Sequence, residues 1–84
     1  MNPRQLLRRL SAGRFANVSF SDFVGLARAV GFEERRISGS HHIFIHVEHG
    51  EMLNIQDVRG EAKPYQLRQF LRLVERLNLR LERS

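Results

Sequence analysis

FEERRISGSHHIFIHVEHGEMLNIQ, residues 32–56, is the stretch that decides the fold. Within it Ile37, Ile43, Ile45, Val47, Leu53 and Ile55 stand in short runs of strand-forming residues, interrupted at Ser38-Gly39-Ser40 and again at His49-Gly50-Glu51. Strand formers separated by glycine-bearing breaks read as hairpins. Three runs and two breaks predict a three-stranded antiparallel meander. The stretch also holds all four histidines of the chain, three of them (His41, His42, His46) within six positions.

On both sides the apolar period changes from two to that of a helix. Upstream, Ser19 precedes Asp22 by three residues, and Phe20, Phe23, Val24, Ala27 and Val30 form one stripe that Gly31 ends. Downstream, a polar loop over residues 57–63 leads to Pro64. Beyond it Leu67, Phe70, Leu71, Val74, Leu77 and Leu81 share a face. The order helix, three strands, helix gives an α+β fold. Ahead of it Leu6, Leu7 and Leu10 recur at helical spacing among Arg4, Arg8 and Arg9, with Pro3 in the first turn and Gly13 at the end, which predicts a short extra N-terminal helix. Residues 1–18 are read as an accessory segment and residues 19–84 as the domain.

A chain of 84 residues buries one modest core. It has no cysteine, which removes disulfides and thiolate metal sites, and a cytoplasmic setting is the expectation. No apolar run approaches the ~20 residues of a membrane span. Fourteen basic residues against nine acidic ones give a net charge of +5, a field that attracts polyanions, and nucleic acid is the first partner to consider. All but one of the basic residues are arginine, whose planar fork grips phosphate with paired hydrogen bonds. Arg68, Arg72, Arg76 and Arg80 recur every fourth residue opposite the leucine face of the last helix. This ridge serves as a solvated surface or as a phosphate track, and Arg80 and Arg83 also suit the negative end of that helix.

Three roles compete for the histidines. His42 and His46 have the spacing of a helical metal pair, but on a strand at ~3.3 Å per residue they lie ~13 Å apart, so no metal is expected. Strand alternation groups His41 with Ile43, Ile45 and Val47, and His42 with Phe44, His46 and Glu48. Taken strictly, this puts His41 on the apolar face and His42 on the wetter one. His41 also follows Gly39-Ser40 at the strand entrance, where its ring can sit at the rim of the sheet. A rim histidine suits RNA cleavage, because the strand carries its own 2′-hydroxyl nucleophile and requires proton transfer near neutral pH together with a cation for the phosphorane.

Gly31-Phe32, Arg36 and Gly39-Ser40-His41-His42-Ile43-Phe44, followed by Leu53-Asn54-Ile55-Gln56 and Ala62-Lys63-Pro64-Tyr65-Gln66-Leu67, resemble the sequence pattern of the HicA toxins of bacterial and archaeal toxin–antitoxin systems. The likeness runs from Ser19 to about Val74. It implies a fold like the double-stranded-RNA-binding domain, with two helices on one side of the sheet. It also implies a ribonuclease that cuts mRNA without a metal or cofactor and is inhibited by a cognate HicB-like antitoxin. In the family the functional histidine directly follows Gly-Ser, which is His41 here. His42, Ser40 and Arg36 are the supporting candidates, and Lys63, Arg68 and Arg72 the RNA-binding ones. Many compact members carry a Pro-x-His element after the third strand, whereas this chain reads Leu53-Asn54-Ile55-Gln56. The alternative is a non-catalytic RNA-binding module of the same shape, which reads duplex form and phosphates. A third reading gives the arginine ridge to docking of an acidic antitoxin.

Overall fold

A computed structural model describes residues 1–81. Its elements are α1 (Pro3–Ser11), α2 (Phe20–Ala29), β1 (Phe32–Ser38), β2 (His41–His46), β3 (Met52–Gln56) and α3 (Pro64–Leu77). The strands form one antiparallel sheet in the order β1-β2-β3. The expected order of helix, meander and helix is therefore present, with the short extra helix ahead of it, as in a double-stranded-RNA-binding domain.

Local chemistry fixes the boundaries. The Ser19 hydroxyl accepts a hydrogen bond from the Asp22 amide at 3.1 Å and caps α2, a contact worth ~1 kcal/mol. Gly31, at φ 107°, turns the chain from α2 into β1. Pro64 opens α3, and Asn78, left-handed at φ 54°, closes it. The helical stripe thus stops at Leu77. Leu81 and Arg80 lie beyond the helix rather than on it, because the left-handed residue redirects the backbone. Arg83 falls outside the described residues.

The core lies between one face of the sheet and the helices. Phe23 of α2 and Phe70 of α3 meet edge-on at 5.3 Å, and Phe32 of β1 reaches the Phe70 ring at 6.2 Å. Phe44, Leu53 and Ile55 complete the sheet's contribution. From α1, Leu6 and Leu10 are fully buried in the same cluster, and the helix packs on α2 and α3. At ~1.5–3 kcal/mol for each buried leucine, α1 contributes to the stability of the whole chain.

Register overturns the expected facing of β2. Phe44 and His46 point inward with Phe32, Leu53 and Ile55, whereas His41, Ile43 and Ile45 share the open face with Met52, Asn54 and Gln56. His41 is therefore on the wet side and His42 on the side of the helices, the reverse of the reading from alternation. The set of β2 that turns inward is the less apolar of the two in sequence. What decides between them is pairing with neighbouring strands, which brings Phe32 beside His46 and Leu53 beside Phe44.

Candidate active site

Ser38 and His41 pair across the two-residue turn Gly39-Ser40. Gly39 has φ 61° and Ser40 is not in the left-handed region, the pattern of a type II′ hairpin turn with glycine at its first central position. This turn brings His41 out at the first residue of β2, exposed on the open face of the sheet. Its Nδ1 lies 3.2 Å from Asn54 Oδ1 on the neighbouring strand. An amide oxygen only accepts, so Nδ1 carries the proton and the Nε2 lone pair is free to face a substrate. Gln56, opposite His41, donates from Nε2 to the Ser40 hydroxyl at 3.1 Å, and the Asp57 amide donates to the Ser40 carbonyl at 2.9 Å. The hairpin tip is thereby tied to β3.

Arg36 owes its direction to a bulge. The register of β1 shifts between Glu34 and Arg36, so that Arg36 stands opposite Ile43 and takes the open face. It is a diagonal neighbour of His41, at ~7–8 Å between backbones, within reach of a long side chain. Ser40, His41 and Arg36 thus lie at one exposed corner of the sheet, with Asn54 and Gln56 beside His41 on β3.

His42 belongs to a different environment. Its Nδ1 meets Glu34 Oε2 at 2.6 Å, Glu34 in turn lies 3.6 Å from an Arg28 nitrogen, and the Phe20 ring tilts against the imidazole at 4.7 Å. Consecutive strand residues point to opposite faces, so His41 and His42 do not flank one phosphate from the same side. His46 is the structural histidine of the three. It is 2 % exposed, donates from Nε2 to the Val30 carbonyl at 2.7 Å, and accepts the Glu48 and His49 amides at Nδ1, each at 3.2 Å. These bonds tie the β2–β3 turn to the end of α2.

The expected RNA-binding cations are spread along α3. Lys63 stands just ahead of its first turn without capping it through the side chain, and its Nζ lies 5.5 Å from the Tyr65 ring. Gln66, one turn on, accepts the Gln56 amide at 2.9 Å and so seats this end of the helix beside the strand end that faces His41. Arg68 stacks on Phe15 at 5.1 Å, in the segment joining α1 and α2. Arg72 lines a groove between β3 and α3, while Arg76 is held by Glu51 at 3.2 Å. Sequence reasoning passed over Asn54, Glu34 and Gln66 as partners. For Asn54 the signal was present, since alternation in Met52–Gln56 sets Asn54 and Gln56 apart from Leu53 and Ile55.

A protein-family model described as the HicA toxin of bacterial toxin–antitoxin systems matches residues 20–75, from the first residue of α2 to near the end of α3. The chain belongs to the HicA toxin family. It is thereby the toxin of a toxin–antitoxin system, with an antitoxin as the partner this implies. The match spans the Gly39–Phe44 motif and leaves α1 outside. A search of curated proteins returned no match, and neither did a search of solved structures. Among the described residues of this HicA toxin, no helix is long and apolar enough to cross a membrane.

Proposed function

We propose that this HicA toxin is an endoribonuclease that cuts mRNA without a metal ion, with His41 as its acid–base group. The observation that carries the reading is the exposed His41 ring held at Nδ1 by Asn54, 3.2 Å away, with Arg36 on the same face. His41 Nε2 takes the proton of the ribose 2′-hydroxyl as that oxygen attacks the adjacent phosphorus. The phosphorus–5′-oxygen bond breaks, leaving a 2′,3′-cyclic phosphate, and the departing 5′-oxygen is protonated by solvent or by the imidazolium. Arg36 neutralises the growing charge on the phosphoryl oxygens. Ser40 fixes the hairpin tip, and Lys63 and Arg72 hold flanking phosphates. A HicB-like antitoxin silences the toxin by covering this corner. The cytoplasm, where mRNA is translated, is the setting this activity calls for.

The 2.6 Å contact between His42 and Glu34 supports a second assignment, with a carboxylate-oriented His42 as the acid–base group on the helix side of the sheet. Incubating a 5′-labelled transcript with the purified toxin, in chelator, tests both. Cleavage to cyclic-phosphate ends that is lost in His41→Ala and retained in His42→Ala supports the first assignment, and the opposite pattern supports the second. Saturating binding with intact RNA would make the protein a non-catalytic RNA-binding module.

A further inference from the structure

The two outer strands of the sheet are unlike each other. β1 carries Glu33, Glu34, Arg35 and Arg36 and a bulge at Arg35, features that keep an edge from recruiting foreign strands. β3 reads Met-Leu-Asn-Ile-Gln, uncharged, and pairs with β2 without a register shift. The bonds from the His46 amide to the Glu51 carbonyl and from the Asp57 amide to the Ser40 carbonyl set the phase of the β2–β3 ladder. Leu53 and Ile55 therefore bond to β2, while the backbone groups of Met52, Asn54 and Gln56 point away from it. Gln66 takes two of these. Its Oε1 accepts the Gln56 amide at 2.9 Å, and its Nε2 donates to the Asn54 carbonyl at 3.4 Å. Among the described residues, the Met52 amide, the Met52 carbonyl and the Asn54 amide have no protein partner.

Beside these three groups runs a groove of about 380 Å³ between β3 and α3, lined by Met52, Asn54, Gln69, Arg72, Leu73 and Arg76. Met52 is 63 % exposed. Arg76 already meets Glu51, which lines the same groove, whereas Arg72 makes no ion pair among the described residues. We infer that the β3 edge is a docking site for an extended acidic segment of another protein, which adds as a fourth strand beside Met52–Asn54 and sets its carboxylates against Arg72. Main-chain pairing supplies register, and the arginine selects charge.

A polypeptide fits this edge better than RNA does, because the Met52 amide, Met52 carbonyl and Asn54 amide alternate at strand spacing, which an extended main chain matches group for group, whereas RNA presents its phosphate acceptors and hydroxyl donors at a different repeat. A second copy of the chain fits less well. It would bring its own Arg72 and Arg76 to a groove that is already basic, on a molecule of net charge +5. The docking surface stands independently of the chemistry assigned to His41, although Asn54 and Arg72 belong to both.

The test uses the full-length ¹⁵N-labelled toxin and a capped peptide of sequence Glu-Val-Glu-Val-Glu-Val-Glu, with amide exchange followed by NMR. Without peptide, the Met52 and Asn54 amides exchange much faster than those of Leu53 and Ile55. With peptide they slow at least tenfold. Asn54→Pro removes an outward amide together with the side chain that meets His41, and weakens peptide affinity at least tenfold, while Asn54→Ala, which loses the side chain alone, does not. Arg72→Glu abolishes binding of the acidic peptide and restores it for Lys-Val-Lys-Val-Lys-Val-Lys, which keeps the test informative should the proline variant not fold. Unchanged exchange at Met52 and Asn54 with the acidic peptide would overturn the inference. So would protection of the same amides by a 12-nucleotide single-stranded RNA, or by a concentration-dependent dimer seen in sedimentation.

Discussion

Replacing His41 by alanine separates folding from chemistry more sharply than any other single change. The side chain is exposed and makes one side-chain hydrogen bond, to Asn54 at 3.2 Å. Substitutions at such positions change stability by about 0.5 kcal/mol or less, which for a domain of this size moves Tm by about 2–4 °C. Removing a general acid–base group lowers the rate by roughly 10²–10⁴, or about 2.7–5.4 kcal/mol of transition-state stabilisation at 1.36 kcal/mol per decade. The transition-state effect thus exceeds the folding effect roughly fivefold or more. Single-turnover cleavage of a labelled transcript and thermal melting on the same preparation read both quantities. A drop in Tm beyond 10 °C would mean that the ring is holding the sheet together. An unchanged cleavage rate would remove His41 from the reaction.

His46→Ala reverses that outcome: with three hydrogen bonds lost in a buried site it costs about 3 kcal/mol, a fall in Tm of about 12–24 °C, checked by calorimetry. Leu10→Ala in α1 costs about 2–5 kcal/mol in a urea titration, because its side chain is fully buried in the domain core. Gly39→Ala meets no neighbouring atom but forces φ 61° on a residue with a Cβ, for about 1–2 kcal/mol of lost stability and reduced cleavage as the hairpin tip shifts. Asn54→Ala leaves Tm within about 4 °C, yet lowers the cleavage rate and shifts the His41 ring from its Nδ1–H tautomer toward a mixture, read from the ring ¹⁵N chemical shifts.

The elements were legible because their signals are local. Period-two runs between Gly39 and Gly50, the Ser19 cap and the Phe23-Ala27-Val30 stripe each depend on residues a few positions apart. Facing was not legible, because it depends on pairing between residues far apart in sequence. Either set of β2 side chains has enough apolar surface to line a core. Only register with Phe32 on one side and Leu53 and Ile55 on the other selects Phe44 and His46. The bulge at Arg35 compounds this, since a single extra residue changes which side chains of β1 stand over Ile43 and His42. The pairs that define the site, His41 with Asn54 and His42 with Glu34, are thirteen and eight residues apart. The Gly-Ser-His-His motif located the corner, while register supplied its partners.

Gln66 works as a stopper. By imitating one link of a strand with its own amide, it sets a maximum length for any visiting chain at two or three residues, short enough for attachment to be reversed. Leucine in its place would keep the helix buried but uncover the Asn54 carbonyl and the Gln56 amide, lengthening the adhesive rim. A variant of that kind would be expected to hold a visiting strand along more of its length and release it more slowly, so one glutamine sets how readily this surface lets go.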